Sequence, residues 1–180
     1  MEAYRLFAEI LEYPHPELPA RLGECIRWIS PAHRQVAELL EDFRATLRTM
    51  DIARLEELYT AAFDMQQDCS PYVGHHLFGE DGRRNLFMAR LSEEYSANGF
   101  ERGSELPDHL TVLLRFLAQE RVEAETAREL ITACMVPALS RMIEPLAARG
   151  HPYAPAIRAL LLLLRDQSAV STHGDEGVAG

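Results

Sequence analysis

Apolar residues recur at three- and four-residue intervals along nearly the whole chain, and no stretch alternates with a two-residue period long enough to build a sheet. The pattern predicts an all-α protein. Leu6, Phe7, Ile10 and Leu11 form a first stripe, which stops at Tyr13-Pro14-His15-Pro16 because proline disfavours helical geometry in the residue before it. A second helix is predicted from Leu18 to Trp28. Ser30 followed by Pro31 reads as the N-cap and first position of a third, whose inner face holds Val36, Leu39, Leu40, Phe43 and Leu47. Asp51 caps a fourth, which sets Ile52, Leu55, Leu58, Tyr59, Ala62 and Phe63 on one broad face before the polar run Asp64 to Asp68.

After a turn at Cys69-Ser70-Pro71, the glycine-punctuated stretch Tyr72 to Gly82 has no clear period. Phe87, Met88, Leu91 and Tyr95 restore a helix that Asn98-Gly99 ends, and a loop runs from Gly99 to Leu106. Leu110, Leu113, Leu114 and Leu117 make the next stripe, with Pro107 and Asp108 expected in its first turn and Leu106 as a staple residue packing onto it. A further helix from about Glu123 carries Leu130, Ile131, Cys134 and Met135, is expected to kink at Pro137, and continues through Leu139, Met142, Ile143 and Leu146 to the stop at Gly150. The last helix, Tyr153 to Arg165, contains Leu160 to Leu164, apolar on all sides as a buried central helix is. Residues 1–166 thus read as one bundle of about seven to nine helices, and 167–180, rich in Gly, Ser, Asp and Glu, as a disordered tail.

Charge narrows the partners. The formal net charge is -10 and the 18 basic residues are all arginine, a balance that repels phosphate and favours basic peptides over nucleic acid. Cys25, Cys69 and Cys134 lack the paired spacing of zinc or redox motifs, which fits reduced thiols. The Met1-Glu2-Ala3-Tyr4-Arg5 start lacks the basic and apolar regions of a secretory signal, and no window looks long enough for a membrane span, so a soluble cytoplasmic protein is expected.

Glu105-Leu106-Pro107-Asp108-His109 is the segment richest in chemistry. Two carboxylates and a histidine at a helix mouth suit catalysis, metal binding, recognition of a partner, or simple capping with a surface histidine. Catalytic sets are incomplete elsewhere: the only Glu-x-x-His spacing, Glu12 to His15, is broken by Pro14, and Gly74, Gly79 and Gly82 lack the strand, helix and lysine of a phosphate loop. Cys69 in its turn lacks a recognisable base. A metal- or nucleotide-dependent helical enzyme using His75, His76, Asp108 and His109, with Asp68 as a further ligand, stays open as an alternative. So does a structural adaptor. Tyr59, Phe63, Tyr72, Phe78 and Phe87 read as core aromatics first and groove-lining residues second.

Three strings combine to carry a resemblance. Leu58-Tyr59-Thr60-Ala61-Ala62-Phe63-Asp64, Arg83-Arg84-Asn85-Leu86-Phe87-Met88-Ala89-Arg90-Leu91 with Tyr95 and Gly99, and Glu105-Leu106-Pro107-Asp108-His109-Leu110 lie in the order and spacing of one known group. The chain resembles the redox enzyme maturation chaperones of the TorD/DmsD/NarJ superfamily, over about residues 1–165. The resemblance implies a TorD-like helical bundle without enzymatic activity or cofactor. Its partner would be the N-terminal peptide of a molybdoenzyme catalytic subunit, most closely the nitrate reductase alpha subunit, held until molybdenum cofactor insertion, with cofactor biosynthesis proteins as further partners. Carried over by motif, Tyr59, Phe63, Asp64, Tyr72, Glu105, Leu106, Pro107, Asp108 and His109 would form the peptide site. Arg115 stands where the family commonly has a glutamate, which reverses the local charge. On this basis Asp108→Ala is expected to weaken maturation more than folding.

Overall fold

The computed structural model describes residues 2–173, with side chains to Gln167. Among them there is no strand, and the helical segments join into nine continuous rods. These are α1 (Glu2–Ile10), α2 (Leu18–Ile29), α3 (Arg34–Leu47), α4 (Ile52–Tyr59) prolonged by a π turn (Thr60–Asp64), α5 (Val73–Phe78), α6 (Gly82–Ala97), α7 (Leu110–Leu117), α8 (Ala124–Glu129) running through a π turn (Leu130–Met135) into α9 (Val136–Ala148), and α10 (Ala154–His173). A short 3₁₀ turn, Gln67–Cys69, precedes α5.

Two helices lie at the centre. In α7 every residue except Arg115 is buried, so the expected one-sided stripe is in fact enclosed all round. In α10, Ile157, Leu160, Leu163 and Leu164 are fully covered by α3 and α9, as the leucine run predicts. Helix α1 packs Leu6, Phe7 and Ile10 between α2 and α7. Each such aliphatic or aromatic side chain contributes about 1.5–3 kcal/mol through removal from water.

Several boundaries differ from those the sequence suggests. Ser30 does not cap α3: its N–H continues the α2 ladder to the Ile26 carbonyl at 2.9 Å, and α3 starts behind His33. Asp51 does cap α4, accepting from the Arg54 N–H at 2.7 Å. Pro107 and Asp108 lie before α7, whose N-cap is His109, and Leu106 is 43% exposed and therefore not a staple. The glycine-rich stretch contains α5, and α10 continues past Arg165 to His173; the remainder of the 167–180 segment lies outside the described residues.

Pro137 does not break its helix. It lacks an N–H for the carbonyl four residues back, and the π turn immediately before it absorbs the mismatch. The resulting rod, Ala124–Ala148, is 25 residues and passes as a membrane span by length and composition, contrary to the sequence expectation. Its arrangement is that of an amphipathic bundle helix: Ile131, Met135, Leu139 and Met142 face the core, while Glu125, Arg128, Glu129, Arg141 and Glu144 are exposed.

Candidate peptide-binding cleft

The loop before α7 is fastened at three levels. Its backbone pairs with the segment before α5: the Val73 N–H donates to the Asp108 carbonyl and the Leu110 N–H to the Pro71 carbonyl, both at 2.8 Å. The Tyr95 hydroxyl on α6 donates to the Pro107 carbonyl at 2.7 Å, and Arg102 donates to the Glu105 carbonyl. Finally, the Asp108 carboxylate is wholly buried and accepts from Arg84 Nε at 2.8 Å and Nη2 at 3.3 Å. Arg84 also lies 5.3 Å from the centre of the Tyr72 ring, a cation–π contact.

Gly74 makes room for this ion pair. A Cβ there would sit 2.7 Å from Asp108 Oδ2 and 3.0 Å from the Phe87 ring. The absence of a side chain lets α5 approach the carboxylate.

On the outer side of the loop opens a cleft of about 410 Å³. It is lined by Glu12, Tyr13, Tyr59, Asp64, Pro71, Tyr72, Glu105, His109, Thr111 and Arg115. Tyr59 is fixed by its hydroxyl, which donates to the Leu11 carbonyl at 3.1 Å, and by edge contacts with Tyr13 and Tyr153. Tyr72 and His109 meet edge to face at 5.3 Å. The π turn at the end of α4 sends Phe63 into the core and leaves Asp64 on the cleft wall.

The cleft is acidic. Arg115 pairs with Glu12, while Asp64 and Glu105 have no ion-pair partner among the described residues. Their field is visible in the neighbouring groups: burial first, then Asp64 and Glu105, push the Tyr59 hydroxyl up, and burial followed by Glu105, Asp108 and Asp64 does the same for Tyr72. His109 moves down because burial disfavours its charged form, against the opposing pull of Glu105, Asp108 and Asp64.

Of the residues singled out from sequence, Tyr59, Asp64, Tyr72, Glu105 and His109 therefore come together on the cleft. Phe63 and Asp108 stand behind its wall, Pro107 is buried, and Leu106 points outward. Glu12, Tyr13, Pro71 and Thr111 were not anticipated; Glu12 and Tyr13 are distant in sequence from the rest of the cleft, and only Arg115 had drawn notice, as a reversal of charge. Three residues of the enzymatic alternative are engaged elsewhere. Asp108 faces Arg84, His76 Nε2 meets the Ser70 carbonyl at 2.7 Å, and Asp68 accepts from Arg149 at 2.7 Å. Among the described residues no group of three or more His, Cys, Asp or Glu is disposed to hold a metal ion.

Comparison with solved structures places this architecture among redox enzyme maturation proteins. A crystal structure described as such a protein from Archaeoglobus fulgidus superposes with a TM-score of 0.62 at 25% identity, covering 91% of this chain and 93% of that one. The chain belongs to the nitrate reductase delta subunit family, whose model matches residues 30–157. A relative from Bacillus subtilis (strain 168), described as a nitrate reductase molybdenum cofactor assembly chaperone, NarJ, is 32% identical over 117 residues, 64% of each chain. The Escherichia coli (strain K12) chaperone of the same name is 31% identical over 118 residues, 63% of this chain and 50% of that one. The matched region thus spans between half and two thirds of the length of these curated relatives.

Proposed function

We propose that this protein is a non-enzymatic, cytoplasmic assembly chaperone for a molybdoenzyme, with respiratory nitrate reductase as its client. It binds the N-terminal peptide of the catalytic alpha subunit and holds the apoenzyme while the molybdenum cofactor is inserted, with cofactor biosynthesis proteins as transient partners. The chaperone role of the Bacillus and Escherichia relatives supports the choice of client. The observation that carries the binding role is the aromatic-walled acidic cleft, in which Asp64 and Glu105 have no ion-pair partner among the described residues. Such a cleft suits a peptide that brings apolar side chains for the rings and a basic group for the carboxylates.

Calorimetric titration with a synthetic peptide covering the amino-terminal segment of the client's catalytic subunit tests this. Saturable binding that weakens as salt is raised is expected, together with loss of binding on Asp64→Asn/Glu105→Gln. Absence of saturable heat with the wild-type protein rejects the peptide-binding role. Purification of the mature, active enzyme with the chaperone still attached would instead favour an adaptor.

A further inference from the structure

His109 presents an uncommitted donor to the cleft. The residue is 9% exposed, and its uncovered part belongs to the cleft wall. Nδ1 lies 3.3 Å from the Thr111 N–H and 2.9 Å from Thr111 Oγ1. A backbone N–H can only donate, so Nδ1 is the acceptor; a neutral imidazole that accepts at Nδ1 carries its proton on Nε2. That Nε2–H has no hydrogen-bond partner among the described residues, and it is not one of the polar atoms sealed from solvent.

The same chain contains a completed copy of this arrangement. His151 Nδ1 accepts from the N–H two residues on, that of Tyr153, at 3.3 Å, and its Nε2 meets the main-chain carbonyl of Leu58 at 3.0 Å. His76 Nε2 likewise meets a main-chain carbonyl, that of Ser70. Of the three buried histidines, His76, His109 and His151, only His109 lacks such a carbonyl among the described residues. The charge around it decides what kind of acceptor fits: with Glu12 paired to Arg115, Asp64 and Glu105 would repel a carboxylate or phosphate and accept a neutral oxygen.

We propose that His109 Nε2–H donates to a main-chain carbonyl of the bound client peptide, as His151 does to Leu58 within the fold, and that Thr111 is the positioning residue that holds the ring in the donating tautomer. The inference rests on the peptide-binding role proposed above and adds the atom that grips the backbone. It also separates two duties of one side chain, capping α7 through Nδ1 and gripping the client through Nε2.

Two substitutions divide those duties. His109→Asn keeps an acceptor for the Thr111 N–H, because asparagine caps helices well, and removes the distal donor. Its melting temperature should stay close to that of the wild type, while affinity for the synthetic amino-terminal peptide falls by about five- to tenfold, the worth of one neutral hydrogen bond. His109→Gln places an amide N–H near the Nε2 position without the cap; it should melt earlier and retain more affinity than His109→Asn. Thioamide replacement of single peptide carbonyls should reveal one position that weakens binding to the wild type and not to His109→Asn. Independently of any peptide, ¹⁵N NMR of the wild-type protein should show the His109 proton on Nε2.

A proton found on Nδ1 overturns the proposal. So does His109→Asn binding as tightly as the wild type, or, should that variant fail to fold, a thioamide scan of the wild type with no sensitive position. If the wild-type protein binds no peptide while NMR shows the Nε2–H tautomer, the peptide-binding role falls and this inference falls with it; if the wild type binds and the variant is unaffected, only the inference falls.

Discussion

Asp108→Ala removes the anion from a pair in which the carboxylate is fully buried and Arg84 keeps 19% side-chain exposure. The guanidinium would be left against Tyr72, Gly74 and Phe87 with two donors unpaired. Breaking a buried ion pair from one side costs about 3–5 kcal/mol, and the partial exposure of Arg84 places this case at the low end, ~3 kcal/mol. At about 2–4 °C per kcal/mol for a domain of this size, the melting temperature should fall by about 6–12 °C. Calorimetric or circular dichroism melts measure it directly. The double variant Asp108→Ala/Arg84→Met should regain much of the loss, since the orphaned charge is the costly part. A fall of less than about 2 °C, or a double variant no better than the single, refutes the reasoning. This prediction differs from the expectation from sequence, in which Asp108 serves the client before the fold: a carboxylate enclosed on every side and paired with Arg84 is expected to act on a bound peptide by holding the loop.

Three further outcomes follow from the same geometry. Gly74→Ala sets a Cβ 2.7 Å from Asp108 Oδ2 inside α5, so a strain of about 1–3 kcal/mol should outweigh the roughly 1 kcal/mol gain in helix propensity, and thermal melts should show net destabilisation. His76, His109 and His151 are all held down from the ordinary value of 6.5 by burial, so the unfolded chain binds more protons below that value; stability should be flat above about pH 6.5, decline as pH falls below it, and decline less in His76→Gln/His151→Gln. Arg115→Glu breaks a pair with Glu12 whose side chains are 41% and 34% exposed, a change of about 0–1 kcal/mol in urea denaturation, while affinity for a basic peptide rises and becomes more sensitive to salt.

The helices were legible because helix formation is local: the i to i+4 ladder and the apolar face are both written in neighbouring residues. Asp51 at α4 and the leucine run of α10 show this directly. Boundaries failed where two local rules competed. Ser30-Pro31 has the chemistry of a helix start, yet the preceding ladder had not ended. At Pro137, where a kink is expected, the helix continues and a π turn stands directly before the proline.

About half of the cleft could be named in advance, through Tyr72 and the strings that hold Tyr59 and Asp64 and Glu105 to His109. Glu12 and Tyr13 could not, because nothing in their own neighbourhoods marks them, and Thr111, next to the marked segment, reads as one more residue of the α7 helix. They become cleft residues only when α1, α4 and α7 assemble.

By itself the sequence determined the helical class, the approximate helix positions, the acidic balance and the family strings, all of which depend on residue type and short-range spacing. Tertiary structure alone decided the roles within Glu105 to His109. Arg84, 24 residues earlier in the chain, draws Asp108 inward, and that leaves the cap of α7 to His109. The physical reason is that charge pairing and desolvation depend on distances across the fold, which no local pattern of residues records.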